Sequence, residues 1–561
     1  MSDPIRILDA SGKPMSMPSP QRARASSAAP VIGIPGGYQF AYEASNIASQ
    51  EMGNWQPWIR SPDSEINPYR DRIVARTRDQ VRNDGWSTGG VTRILDNVVG
   101  THLRLSASPD YRALKARFRG AFDATWAMEF QRAAEALWRG YSESLGRWND
   151  VERALTIGQQ FRLALRHKLI DGEGLALAYW MPERVGFGAA DYATCIRLID
   201  PDRLSNPFQG PDTKNMRGGI EIDEETGERI AAHIRRAQQN DWYLSVEANT
   251  WERVPFEDDE DGWTRVIHDF DRDRAGQHRG LSAFTPILSH ARMLARYYGI
   301  ELQQAALAAA FGTYVTSPYD PALVQEAIGA DDAAAQELNA YQQMRSEWAQ
   351  ERPAYFNGVK VPTLAPGEEI VSVASQHPHS GFSDFAHEML GLYSAATGLS
   401  REQITQDWSR TNYSSARAAL MESWKTLMRR RSEFTINFAT PIYALWLREA
   451  MENGELPLPA GAPSFVEAAT AYARCRWLGP ARGWIDPVKE PAGSVLRMEA
   501  GLATLESEGA EQGVDWEEVA DQRQIEQRAY EERGLPPPKW AAIQGAGDFF
   551  KDDSESQAQQ P

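Results

Sequence analysis

The stretch "QDWSRTNYSSARAALMESWKTLMRRRSEF", Gln406–Phe434, decides how the rest of the chain is read. A polar run of small and amide side chains leads straight into a long helix that ends in three arginines. Leu420, Trp424, Leu427, Met428 and Phe434 fall near one helical face, so that side belongs to a core. Asn412 and Ser414 are residue types that cap helix N-termini. Arg429, Arg430 and Arg431 are charges that the dipole favours at a helix C-terminus. The helix is thus accounted for. The preamble "GLSREQITQDWSRTN" is not: its length and polarity predict a loop that faces water or a polyanion.

Outward from that loop, the order of elements is distinctive. A helix is expected over about 383–396. Before it lies a small segment with strands at "TYVTSP" and "EEIVSVAS", and before that a long Ala-rich helix over about 284–311. Two helices flanking a compact insert make a stalk with a head. Further toward the N-terminus, residues 66–96 read as helical. "YRALKARFRGAFDATWAMEFQRAAEALWRGY" and "WNDVERALTIGQQFRLALRHKLI" space apolar groups three and four apart, as amphipathic helices do. "GLALAYW" and "TCIRLID" are short apolar runs that predict strands. "GGIEIDEETGERIAAHI" predicts a hairpin around an acidic, Gly-containing turn.

The chain has 561 residues, 42% hydrophobic and 24% charged, which suits two to four globular domains. Its formal charge of −18 argues against non-specific coating of nucleic acid, because phosphate binding needs clustered positive charge. With two cysteines, Cys195 and Cys475, there is no disulfide framework, and a reducing compartment fits. Cys195 lies in an apolar, strand-like run and is expected to be buried and inert. No run of 18 apolar residues occurs, so no membrane span is expected. The start lacks the apolar stretch of a signal peptide. Residues 1–35 and the terminal "KDDSESQAQQP" have compositions that cannot bury a core and read as disordered. The 18 tryptophans imply extensive packing or interface surface.

Catalytic motifs are sparse. There is no G-x-x-x-x-G-K-[ST] phosphate loop, no G-x-S-x-G elbow and no H-E-x-x-H. Asp269, Asp271 and Asp273 alternate like the start of a calcium loop. Arg274 then stands where glycine is needed and Gly280 where glutamate is needed, so the run reads as a solvated turn. His377, His379 and His387 lack a completing ligand at a metal spacing and read as a polar hinge into a helix. Asp258–Asp261, "DDED", reads as a solvated loop. No catalytic residue, metal or cofactor is expected.

Six stretches carry a resemblance. They are "RDQVRNDGWSTGGVTRILDNVVG" (78–100), "LIDGEGLALAYW" (169–180), "IDPDRLSNP" (199–207), "IHDFDRDRAGQHRGLSAFTPIL" (267–288), "TGLSREQITQDWSRTNYSSARAALMESW" (397–424) and "WIDPVKE" (484–490). In this order they resemble the lambda-type family of tailed-bacteriophage portal proteins along nearly the whole chain. The resemblance implies an α+β, mainly helical portal fold, assembled as a ring, usually of twelve copies, at one vertex of the phage head. It implies a wing over 36–282 and a first stem helix over 283–311. A clip over 312–380, a second stem helix over 381–397 and a tunnel loop over 398–413 follow. A long helix with a wing return (414–480) and a crown-like helical region (481–545) complete the plan, with 546–561 as a tail. The implied partners are other copies of the chain, double-stranded DNA in the channel, the terminase large subunit, the major capsid or scaffold protein, and a head-tail adaptor. The implied location is the virion, with assembly in the host cytoplasm. On this reading Arg401, Gln403, Gln406, Arg410 and Asn412 would lie at the tunnel wall. The competing expectations are a DNA-processing enzyme subunit of the packaging machinery and a monomeric adaptor with no channel.

Overall fold

In the computed structural model, the described residues are 43–45, 50–258, 262–310, 381–483 and 488–536, with 343, 347 and four short strands between 313 and 372. Both tails read as disordered lie outside them, as do most of the insert, His377, His379 and residues 259–261. The chain divides into two units at Arg60. In the first, a 3-10 turn at Glu43–Ser45 is followed by a turn in which Trp55 N donates to Met52 O, and Trp55, Trp58 and Ile59 are exposed.

The second unit is mainly helical α+β. It begins with α1 (Pro62–Asn83) and α2 (Gly85–Val98), then β1 (Arg104–Ala107), α3 (Tyr111–Phe118), α4 (Ala124–Ser142) and α5 (Ile157–Asp171). Three stretches expected to be single helices are broken, each for a local reason. Asp84 takes an extended conformation, ends α1 and caps α2 by accepting from Ser87 N. Between α3 and α4, Arg119 turns left-handed and Asp123 caps the next helix. Before α5, the Asp150 carboxylate accepts from the N–H groups of Glu152, Ala154 and Leu155. Those bonds fold 150–155 into turns and delay the helix until the capping box of Thr156 and Gln159.

The strands form small antiparallel sheets. β2 (Glu173–Trp180) lies between β3 (Thr194–Leu198) and β8 (Val266–Phe270). β4 (Met216–Arg217), β5 (Ile220–Ile222), β6 (Arg229–Arg235) and β7 (Trp251–Pro255) form a meander, and β5–β6 is the hairpin its turn sequence predicts. Cys195 in β3 is buried, and burial pushes its thiol up to about 11. α6 (Leu288–Ala310) follows a 3-10 turn at Thr285–Ile287. β9 (Thr313–Thr316) pairs antiparallel with β12 (Glu369–Ser372), closing the base of the insert, and β10 (Ala354–Phe356) pairs with β11 (Val359–Val361). Then come α7 (Phe382–Thr397), α8 (Arg401–Thr405) and α9 (Tyr413–Phe434).

α9 does not end at its arginines. It passes through a π-turn, Thr435–Ala439, directly into α10 (Thr440–Glu452). Pro441, which has no N–H to donate back up the helix, sits just past that turn, and the wider π spacing absorbs the defect. The arginines are therefore mid-helix groups and the terminal-dipole explanation fails. Arg429 pairs with Glu433 one turn on, and Arg430 donates to Thr397 O. Arg431 is buried and donates to the carbonyls of Asn97 (2.7 Å), Val98 (3.0 Å) and Pro480 (2.8 Å), capping α2. Burial with no carboxylate partner pulls its pKa down to about 10.

α10 runs through the main core. Trp446 is fully buried, edge-on to Trp138 at 5.3 Å and packed on Tyr443, Tyr141 and Tyr192. Phe434 and Phe438 stack at 5.3 Å beside Phe161. Of the face expected on α9, Leu427 and Phe434 are buried, while Leu420 and Trp424 are half-buried. After α11 (Phe465–Tyr472), β13 (Cys475–Leu478) pairs with β1. The chain then gives α12 (Lys489–Glu499), α13 (Leu505–Glu511) and α14 (Trp516–Glu532).

Candidate DNA-facing loop and its support

The segment 398–413 is not a continuous loop. Gly398 ends α7 at φ +73°, and a Cβ there would sit 2.6 Å from the Thr426 side chain, so glycine lets the chain turn against α9. Ser400 then starts α8. Gln403 N donates to Ser400 Oγ at 3.2 Å, and Ser400 N donates to Gln403 Oε1 at 2.8 Å. This capping box uses the acceptor end of Gln403 within the turn itself. Leu399 and Ile404 are buried in the main core and pin α8 to the body.

Beyond α8 the chain projects. Gln406 takes a left-handed conformation at φ 57°, and its amide donates to Gln403 O at 2.6 Å. Gln406, Asp407, Trp408, Ser409 and Arg410 are all exposed. The Ser409 hydroxyl, and then Ser409 N donating at 3.0 Å, lower the pKa of Asp407. Arg410 donates to Ser383 Oγ at 3.0 Å and lies 3.8 Å from Asp384, so the tip is tethered to the start of α7. Asn412 caps α9 by accepting from Ser415 N at 2.9 Å, which leaves Ser414 inside the helix. Arg401 is half-buried, and its Nε meets no hydrogen-bond partner among the described residues.

Of the five expected residues, Gln406 and Arg410 are thus on the exposed tip and Asn412 is exposed at its foot. Arg401 and Gln403 lie on the short helix that anchors it. Sequence reasoning passed over Trp408 and Asp407, which sit at the same tip. The "QDWSR" run carried the signal, since polar residues around an aromatic after a capping box mark a projecting turn.

The body beneath is held by buried charge. Glu173 Oε1 accepts from Arg279 Nε (2.7 Å), Arg70 Nε (3.0 Å) and Gly280 N (2.9 Å), and His268 Nε2 lies 3.0 Å from Oε2. Burial would raise the Glu173 pKa, but Arg279, Arg70 and His268 outweigh it and hold it well below the usual carboxylate range. The Arg279 guanidinium also donates to the carbonyls of Leu204, Pro201 and Gly218. Glycine permits this approach: a Cβ on Gly280 would lie 2.1 Å from Gly172 O. Asp269, expected in a solvated turn, is instead buried at the end of β8. It accepts from Lys168 at 2.9 Å and Asn437 at 3.2 Å, and Asp271 pairs with the same lysine. Among the described residues, no group of three or more His, Cys, Asp or Glu is placed to hold a metal, and no helix is long and apolar enough to cross a membrane.

The sequence matches known proteins. Residues 48–431 match the family model "Phage portal protein, lambda family". The "Portal protein" of Escherichia phage N15 is 31% identical over 90% of this chain and 93% of its own length. "Portal protein B" of Escherichia phage lambda is 30% identical over 88% and 90% respectively. Among solved structures, a chain from "Neck of native GTA particle computed with C12 symmetry" aligns with TM-score 0.37 at 11% identity, over 73% of this chain and 95% of that one. The family match spans α1 to Arg431 of α9, and so covers the projecting tip and the helix that carries it. The chain belongs to the lambda family of phage portal proteins.

Proposed function

We propose that this portal protein works as one subunit of a closed ring, usually of twelve copies, with Gln406–Arg410 facing DNA in the central channel. The observation that carries the reading is the combination of an exposed polar tip with an unbroken support. The tip leads into α9 and α10, and α10 is rooted where its Tyr443 and Trp446 pack on Trp138. A tip mounted in this way can touch a passing polyanion without the core moving. Arg410 and the Gln406 amide make brief, salt-sensitive contacts with phosphates. Asp407 and the overall charge of −18 oppose lasting attachment, so DNA slides rather than sticks.

On this reading α6 and α7 are the stem, the insert between them is the clip that meets the terminase large subunit and later a head-tail adaptor, and the residues before α6 form the wing. The outer wing meets the capsid or scaffold protein, and α12–α14 belong to the crown. The protein assembles in the host cytoplasm and resides at one vertex of the virion. ATP hydrolysis belongs to the terminase, and the isolated chain is expected neither to hydrolyse ATP nor to cut DNA.

The test replaces Gln406–Arg410 with glycines. Rings should still form, because Leu399, Ile404 and the α9–α10 core are untouched, while the yield of DNA-filled heads should fall at least tenfold. Normal filling with intact rings would reject the assignment of the tip.

A further inference from the structure

A groove lies between α3, α11 and the π-turn, with a volume of about 910 Å³. Its floor is apolar. Ile436 and Val466 are large aliphatic side chains left 64% and 59% exposed, and Leu114 and Phe118 line it beside them. Two such side chains in one concavity are a docking surface rather than scattered surface residues. Its charged lining is two arginines and two acids. Arg474 pairs with Asp110 at 2.9 Å, Glu467 closes a capping box with Ser464, and Arg117 has no carboxylate within ion-pairing distance among the described residues. An apolar floor with one such arginine at its edge fits a segment with aromatic anchors beside a carboxylate.

The chain itself contains such a segment. Beyond α14 it reads "GDFFKDDSES" at 547–556: Phe549 and Phe550 are adjacent, flanked by Asp548, Asp552, Asp553 and Glu555. The chain length allows the approach. Glu517 and Glu518 at the start of α14 are held by Arg132, Arg104 and Arg139. Arg104 is in β1, whose Ala107 pairs with Cys475 in the groove wall. From there α14 runs for 17 residues, roughly 25 Å at 1.5 Å each. The 12 residues between Pro536 and Phe549 span up to roughly 40 Å when extended, enough to return past that helix. The polarity also repeats: arginines of the body already receive carboxylates of the C-terminal helices.

We propose that the groove between α3 and α11 is the docking site for the chain's own C-terminal segment Asp548–Asp553, with Phe549 and Phe550 on the apolar floor and a flanking carboxylate on Arg117. The inference does not depend on the channel reading. Its test is hydrogen exchange on the full-length chain and its F549A/F550A, V466D and R117E variants. Arg117 and Val466 are exposed, so the groove variants should keep the parent's circular dichroism and melting temperature. Amides of α3 and α11 should exchange at least tenfold faster in F549A/F550A than in the parent, with the same acceleration in V466D. R117E should lose part of the protection, and adding D552K/D553K should restore it. Equal exchange in the parent and F549A/F550A would overturn the proposal. A loss in F549A/F550A that neither groove variant reproduces would overturn the groove as the site and point to another surface or a second copy.

Discussion

The body of this protein and its C-terminal helices are built by opposite means. The body buries aromatic rings against one another, with α9 and α10 threaded through them, and it spends its buried charges on satisfied networks such as that of Glu173. The C-terminal helices bury almost nothing. Ala492 is the buried residue of α12, Glu508 that of α13, and α14 has none, while Val495, Leu496, Leu502, Leu505 and Ile525 remain exposed. These helices are attached by ion pairs that run one way. Arg104 and Arg139 reach Glu518, Arg132 reaches Glu517, Arg476 reaches Glu506 and Arg417 reaches Glu490. Hydrophobic burial is not screened by salt, whereas exposed ion pairs are weak and screened. The body is thus one closely packed block, and the C-terminal region is joined to it mainly by screened ion pairs.

The largest effects are expected inside the body. Trp446→Ala removes a fully buried indole and should destabilise the body by about 3–5 kcal/mol, read as a lower denaturant midpoint. Glu173→Ala should act on a similar scale, about 3–5 kcal/mol, because Arg70 and Arg279 would stay buried without their carboxylate. The pH sign follows from the depressed pKa of Glu173. Its contribution is present above the ordinary glutamate range and is lost as pH falls through the folded value. Acid unfolding should therefore begin at a higher pH in proteins whose Arg279 is replaced.

A smaller effect is expected where the two regions meet. Glu135 on α4 accepts from Ala107 N at 2.8 Å and faces Gln131, Asp515 and Glu517. Burial first, and then Asp515 and Glu517, push its pKa up to about 8. A raised carboxyl favours the docked state while it is protonated, and that contribution is lost as pH rises from the ordinary value near 4.5 through about 8. Proteolysis within 488–532 should accelerate between pH 6 and pH 9, and Glu135→Gln should flatten that dependence. The smallest effects belong to single ion pairs. Arg132→Ala or Arg476→Ala should change stability by only about 0.2–1 kcal/mol each. High salt should weaken all of these pairs together, raising proteolysis of 488–532 while leaving the melting temperature of the body nearly unchanged. Equal salt sensitivity in both regions would erase the comparison.

Much of the body was legible because its signals are local. The apolar spacing of α4, the short runs of β2 and β3, the turn of the β5–β6 hairpin and the cap at Asn412 each lie within a few residues. The breaks at Asp84 and Asp150 were hidden because a carboxylate folding back on its own backbone leaves the apolar spacing intact. The role of Arg431 was hidden because its carbonyl partners lie more than three hundred residues away, at Asn97 and Val98. The same holds for Glu173, whose arginines come from α1 and from the loop after β8. In the loop itself, polarity marked a segment that is partly exposed, and the Ser400–Gln403 capping box divides it into an anchored helix and a shorter exposed tip.

The measurement that tests the central claim most directly is a cryo-electron microscopy reconstruction of the purified full-length protein. The account predicts closed rings with a central channel, with Gln406–Arg410 of every copy projecting into the bore and α10 buried behind it. Monomers without rings, or rings in which Gln406–Arg410 packs on the outer surface away from the channel, would contradict it.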